Sequence, residues 1–340
     1  MSIKVTTQDL KRIILIFILM FVSNDTYLFG TNSNELMVAI PRYLMLAFCA
    51  VVLFFTVMKK EEYQHIRIIL LYILLIVVLV VISAYHHEYY SRVFIKVLCI
   101  TTGMLICIRY KIEDYADAFF KCMTFFSVFA IILTIIAYIS PSIVRSLPSI
   151  VNTVGVRFYS IGFAGLDERS LGNYAVRTGG IFWEPGVFQM YLNLAILFEM
   201  LLYKGIHKKR IAIYLMALFL TFSTTGWLAF MWLCATYALF GRNDNRSVSK
   251  NIAIFIGLIV VALISYVIIF YTSLGQTVFG KLFDFKDGST MVRQASVLIN
   301  LEIIKDHPFV GIGMAQMADE FERRSYLSSA IYGWTRQNTN

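Results

Sequence analysis

The sequence predicts an all-α polytopic membrane protein with about nine transmembrane helices and two long extracytoplasmic loops. Three observations predict it. The 340 residues are 59% apolar and only 15% charged, against about 25% charged in a soluble domain. Apolar runs of membrane-spanning length recur along the chain, and the basic residues gather in alternate connecting segments. Even a domain of about 300 residues buries only about 75% of its chain surface, so no soluble core could absorb this much apolar side chain. A soluble enzyme, a disordered tail and a disulfide scaffold are excluded. Nucleic-acid binding is excluded too, because the net charge of +9 is scattered between apolar runs and forms no basic stripe.

A spanning helix needs about 20 apolar residues, or about 17 with help at its ends. Runs that qualify are 13–29, 36–58, 66–84, 93–108, 118–139, 187–203, 211–240 and 252–271. The first follows Lys4, Lys11 and Arg12 with no small-x-small site after it, and reads as a retained signal anchor. The seventh is about 45 Å long as one helix. It carries Ser223-Thr224-Thr225-Gly226 near its middle, so it is either one tilted helix or two short ones. Short loops rich in Lys and Arg stay in the cytoplasm, and this rule selects the split. With the N-terminus inside and a hairpin at Ser223–Gly226, sixteen of the 30 basic residues collect inside, and only Arg42, Arg92 and Lys96 stay on short outer loops. The expected organisation is a five-helix part at 1–139, an outer loop at 140–186, a four-helix part at 187–271 and a second outer loop at 272–340. Cys49, Cys99, Cys107, Cys122 and Cys234 lie in or beside apolar runs without CxxC spacing, as small hydrophobes do.

Function concentrates in long extramembrane loops. The first holds Arg145, Arg157, Arg169 and Arg177 beside Asp167, Glu168 and Glu184. Arg177 and Glu184 stand where that loop re-enters the membrane. A guanidinium there can grip a phosphate through two parallel hydrogen bonds, and a carboxylate ahead of Pro185 can accept a proton. The plainer alternative makes Glu184 a first-turn anion favoured by the helix dipole, with Arg177 its partner. Gly179, Gly180 and Gly186 favour a backbone opened for a ligand. In the second loop, Val292, Ala295, Ile299 and Ile303 form one face of an amphipathic helix, with Arg293 and Asn300 pointing elsewhere. His307-Pro308 ends that helix, and Gly311-Ile312-Gly313 permits a tight turn. Arg293 is either a second anion binder or a solvated position. Asp25, within or at the rim of the first span, is a site candidate or a carboxylate that simply reaches water. Ser223-Thr224-Thr225-Gly226 offers hydroxyls and N–H groups to a ligand, or satisfies broken helix ends. His86 and His87 are adjacent, so they face different ways and read as interfacial residues. The sequence contains neither HExxH nor an Asp-x-Asp pair, and predicts metal-free chemistry.

Three stretches together resemble the superfamily of bacterial O-antigen and capsule polymerases (Wzy-type) and O-antigen ligases. They are Arg177-Thr-Gly-Gly-Ile-Phe-Trp-Glu184-Pro-Gly-Val-Phe-Gln189, Ser223-Thr-Thr-Gly226, and Arg293 followed by Pro308-Phe-Val-Gly311-Ile-Gly313. The resemblance runs from Tyr174 to Met314; the first half of the chain matches in hydropathy alone. It implies the multi-helix fold of the lipid-sugar-dependent (GT-C-like) glycosyltransferases, in a bacterial inner membrane with the N-terminus cytoplasmic. It also implies repeat-unit polymerisation: a growing glycan moves from an undecaprenyl-diphosphate carrier onto a lipid-linked repeat, without cofactor, nucleotide sugar or metal. The implied partners are that lipid-linked oligosaccharide and membrane lipid, with a chain-length regulator and a flippase beside them. On this reading Arg177 and Arg293 stabilise the departing diphosphate, Glu184 takes the proton of the attacking hydroxyl, and Arg157 and Arg169 support. Gly180, Gly186, Ser223, Gly311 and Gly313 complete the substrate-binding set. A ligase acting on a lipid core or protein is the alternative within the fold; a flippase or other transporter, or a purely structural membrane protein, lies outside it. In the resembled family the second loop runs on to further spans. Here the sequence stops at Arg336-Gln-Asn-Thr-Asn340, which reads as a shortened or partial product or a divergent end.

Overall fold

Leu15, Ile16 and Met20 leave one face of the first apolar run for burial, and the helix that carries them opens a mostly helical chain. The structure, a computed structural model, describes residues 6–23, 25–31, 35–58, 66–88, 90–153, 155–171, 175–202, 207–240, 288–313 and 316–332. It divides into two compact units, Met1–Val52 with Tyr110–Ile268 and Leu53–Arg109 with Ile269–Asn340.

In the first unit, α1 (Thr7–Phe21) starts at a capping box in which Thr6 and Asp9 satisfy each other's backbone N–H. The central element is α5 (Ile112–Ile139), whose Phe119, Phe120, Met123, Phe126, Ala130 and Leu133 are buried. Against it pack α1, α7 (Pro185–Leu202) and α8 (Lys208–Leu220). Aromatic rings hold the α1 side together: Phe17 stacks on Phe126 at 5.0 Å, and Phe125 meets Phe163 edge-on at 5.1 Å. Such pairs add about 0.5–1.5 kcal/mol each beyond their area. Beyond α8, α9 (Thr224–Phe240) lies against α7. Helix α2 (Glu35–Met58) has residues in both units.

The first long loop adds a sheet that the all-α expectation did not contain. A short helix, α6 (Pro141–Arg145), leads into an antiparallel meander of β1 (Ser149–Val151), β2 (Arg157–Ser160) and β3 (Gly165–Asp167). Ile150 pairs with Phe158, and Tyr159 with Leu166. The buried Tyr27 hydroxyl bonds Ser160 Oγ and fastens the sheet to the end of α1.

In the second unit, α3 (Ile66–Tyr85) packs along α4 (Tyr90–Arg109), and Tyr72 and Thr101 hydroxyls meet at 3.0 Å. Leu70, Leu74 and Val81 of α3 are exposed. A helix apolar all round that leaves such residues uncovered by protein suits lipid on that side. Then come α10 (Gly288–Asp306) and α11 (Met317–Tyr332), which pack together. Ile299, Ile303 and Ile312 form their shared core, with Ala295 and Phe321 alongside, so three of the four residues of the expected apolar face of α10 are on it, and the side chain of the fourth, Val292, lies outside the described residues. The second long loop holds a second helix, α11, that the hydropathy pattern did not announce.

Four described helices are long and apolar enough to cross a membrane: Val38–Met58, Ile66–Tyr85, Ile112–Ile139 and Pro185–Leu202. Of the other expected spans, the first departs from the reading. The first run is helical only to Phe21, because Thr26 Oγ1 donates to the carbonyls of Phe21 and Ser23 and a turn follows at 25–30. The fourth, 93–108, is helical throughout within α4, which also carries Arg92, Lys96 and Arg109. The seventh is two helices, as the selected split expects: it breaks into α8 and α9 at Thr221–Ser223, with Phe222 in the left-handed region at φ +46°. The eighth run, 252–271, lies outside the described residues.

Candidate functional site

The segment 175–184 of the first unit crosses three others through its backbone. Thr178 N–H donates to the Leu220 carbonyl at 3.0 Å, Gly165 N–H to the Gly180 carbonyl at 2.8 Å, and Trp183 N–H to the Asp25 carbonyl at 3.0 Å. The end of α8, the sheet and the turn after α1 therefore all meet at this stretch. A chain so tied has little freedom, which is what a site needs from its scaffold.

Arg177 is exposed, and its Nε donates to the carbonyl of Thr221 at 3.2 Å. It thus reaches a carbonyl left over at the end of α8, where helix ends lack intrahelical partners. Seven residues on, Glu184 precedes α7, and its own carbonyl accepts from Val187 and Phe188. Its half-buried carboxylate lies over Gly186: a Cβ built there would be 3.3 Å from Oε1. Arg177 and Glu184 belong to one short, tightly held segment, but each has a neighbour other than the other.

The glycines have packing roles. Gly180 sits at φ +60°, and a Cβ on it would approach the Phe188 ring at 3.0 Å; one on Gly179 would come within 2.6 Å of the Phe182 carbonyl oxygen. Both are buried, and protein approaches each closely.

The support expected from Arg157 and Arg169 is engaged elsewhere. Arg169 forks onto Asp167, with Nη2–Oδ2 at 2.6 Å and Nε–Oδ2 at 2.9 Å. That hydrogen-bonded pairing raises the guanidinium pKa, and the charges of Asp167 and Glu184 act in the same direction. Arg157 Nε lies 3.9 Å from Glu168 Oε2, and Tyr159 also donates to Glu168, at 3.2 Å. Both cations are exposed and face the loop's own acids.

The Ser223–Gly226 break is a helix cap. Ser223 Oγ accepts from Gly226 N–H at 3.3 Å and pairs with Thr225 Oγ1 at 3.0 Å, as an N-cap serine does. Ser223 is buried, so its hydroxyl belongs to the fold, whereas Thr225 is exposed. Asn193 of α7 donates to the Gly226 carbonyl at 3.1 Å and to both the carbonyl and side chain of Gln189 at 3.0 Å. Tyr191 donates to Asp25 Oδ2 at 3.3 Å. Asn193 and Tyr191 escaped the sequence reading. A lone Asn four residues after Gln189 in an apolar run was the available signal.

In the second unit, Gly311 and Gly313 both adopt positive φ, +65° and +78°, and make the expected tight turn after α10. At Gly313 a Cβ would fall 2.7 Å from Glu88 Oε1 and 2.8 Å from His86. His86 Nε2 lies 3.2 Å from the Val310 carbonyl, so this histidine is fixed on the turn while His87 is exposed. A cavity of about 580 Å³ adjoins it, lined in part by Asp306, His307, Glu320, Arg323 and Arg324. Sequence reasoning missed this group; the Glu320-x-x-Arg323-Arg324 spacing was its signal. The backbone of Arg293 lies in α10, and its side chain lies outside the described residues.

Residues 211–339 match the family described as O-antigen ligase. The matched segment runs from α8 through the Ser223–Gly226 cap, Arg293 and the Gly311–Gly313 turn; Arg177 and Glu184 precede it. No curated protein and no solved structure matches the chain.

Proposed function

We propose that the protein is a metal-independent membrane glycosyltransferase that polymerises polyprenyl-diphosphate-linked oligosaccharide repeats on the extracytoplasmic face of a bacterial inner membrane. The observation that carries this reading is the junction of Arg177 with Thr221, which joins the Arg177–Gln189 element to the helix break inside the O-antigen-ligase-like segment. In the proposed reaction the acceptor hydroxyl attacks the anomeric carbon of the donor sugar, and Glu184 receives its proton. The bond from that carbon to the diphosphate oxygen breaks, and its electron pair leaves with the diphosphate. Arg177 meets the charge developing there, as preorganised donors do without a cation. Arg293 is assigned an anion-binding role because it lies within the matched segment. Arg157 and Arg169 act less directly, because each is paired with a loop carboxylate.

Transfer of finished glycan to a lipid core or protein is the second reading, favoured by the description of the matching family. A deletion strain separates the two. Loss of a polymerase leaves single repeats attached downstream, whereas loss of a ligase leaves long polymer on the carrier lipid. Complementation with Arg177→Ala, Glu184→Ala or Arg293→Ala tests both: each variant inserts normally and fails to restore the glycan. Full-length surface glycan from all three overturns the enzymatic reading.

A further inference from the structure

The cavity beside the Gly311–Gly313 turn has no part in the chemistry above, and its lining differs from that of an anion site. Its two guanidinium groups are matched by two carboxylates. Arg324 bonds Asp306 Oδ2 at 2.7 Å and Glu320 Oε1 at 2.7 Å, and Arg323 bonds Glu320 Oε1 at 2.6 Å. A diphosphate entering here would meet these acids and would have to displace them from their cations. A neutral ligand pays no such penalty. The four planar groups are held in place by one another, and together they present both donors and acceptors, since a carboxylate has about four lone-pair sites and a guanidinium five N–H groups.

The second feature is apolar. Phe309 lines the same cavity and is 94% exposed, an unusual outlay of ring surface on a turn. It projects between Pro308 and Val310, on a backbone anchored by His86 at Val310 and by the His307 carbonyl, which accepts from Gly311 N–H at 3.2 Å. An exposed aromatic ring on an anchored turn, next to paired polar groups, suits a ligand with one C–H-rich face and a rim of hydroxyls. The volume of about 580 Å³ falls within the range of about 300–1,000 Å³ usual for small-molecule sites.

We infer that this cavity is a binding site for a neutral sugar residue, stacked on Phe309 and hydrogen-bonded by the Asp306–Arg324–Glu320–Arg323 group. That the sugar is part of the lipid-linked glycan rests on the functional reading above; the site itself is argued from its own lining.

The test measures binding without turnover. The full chain in lipid nanodiscs is examined by saturation-transfer NMR with glucose, galactose, N-acetylglucosamine, N-acetylgalactosamine and rhamnose, each alone and against inorganic pyrophosphate. At least one sugar receives saturation through its ring C–H protons. Pyrophosphate does not displace it, and Phe309→Ala lowers the transfer at least five-fold. Phe309 is so exposed that its removal leaves the fold intact, and Glu320→Gln gives a second loss through the polar group. No transfer to any sugar, transfer unchanged in Phe309→Ala, or displacement by pyrophosphate overturns the proposal. Saturation of Phe309 from lipid acyl chains with none to sugar also overturns it, by assigning the ring to the bilayer. Because the glycan phenotype of Arg177 variants is read in cells, either reading can fail alone.

Discussion

A Cβ added at Gly226 would lie 2.9 Å from the Cβ of Gln189, so α9 begins flush against the second turn of α7. Asn193 closes the same contact by donating to the Gly226 carbonyl. Gly226→Ala gains up to about 1 kcal/mol of helix propensity but overpacks this contact at a cost of about 1–3 kcal/mol. The thermal midpoint of the detergent-solubilised variant is expected to fall, and that of Gly226→Val to fall further. An unchanged midpoint for Gly226→Val would show that the two helices do not touch here.

The end of α7 is held by charge. Glu199 is fully buried; its Oε1 accepts from His207 Nδ1 at 2.6 Å and His207 N–H at 2.8 Å, and its Oε2 accepts from Arg210 Nη1 at 2.9 Å. Arg210 also lies 4.6 Å above the Phe120 ring. Removing one member of a buried pair costs about 3–5 kcal/mol because the other charge is stranded. Arg210 is partly solvated, so Arg210→Ala is expected to cost roughly 2–4 kcal/mol, and more than Lys208→Ala. Equal melting of the two variants would dismiss the pair as a stabilising feature.

The parts of this fold that could be read in advance repeat at short range. Ala295, Ile299 and Ile303 recur at helical spacing, and they do line one face of α10. The polar Ser223-Thr224-Thr225-Gly226 interrupts an apolar run, and the helix does break beside it. What escaped was either too short or too distant. Strands of three and four residues give no period-2 pattern long enough to recognise. Helix α11 meets α10 through Phe321 and the Arg324–Asp306 pair, a mixed contact with too few apolar positions to announce itself. The partner of Arg177 is a main-chain carbonyl 44 residues away, and carbonyls have no sequence signature. The side chains that crowd Gly313, those of His86 and Glu88, are likewise remote in sequence.

The pairing of Arg169 with Asp167 and the junction of Arg177 with Thr221 lead to different outcomes. An exposed ion pair contributes about 0–1 kcal/mol, so Arg169→Ala is expected to leave stability nearly unchanged and to lower glycan transfer only a few-fold. Arg177→Ala removes a donor assigned to the departing diphosphate, and losses of about 10²–10³ in rate are usual for such donors. Glycan chain-length profiles at matched expression make the comparison. A greater loss in Arg169→Ala than in Arg177→Ala would reverse the assigned roles.

Acid should loosen α11 before the membrane helices respond. Hydrogen bonds from Arg323, then from Arg324, hold the Glu320 carboxyl down at about 2, against an ordinary value of 4.5. A carboxylate whose pKa is lowered by folding binds fewer protons in the folded state than in the unfolded one, so stability rises with pH across the interval between the two values. The contribution of Glu320 is therefore complete above about pH 4.5 and is lost as pH falls toward 2. Arg324, which also bonds Asp306 of α10, couples this loss to the packing of α10 on α11. Amide exchange across 317–332, corrected for the intrinsic pH dependence of exchange, is expected to show protection falling over that interval. In Glu320→Gln, protection is lower at neutral pH and nearly independent of acid. Undiminished acid dependence in Glu320→Gln would move the titrating group elsewhere.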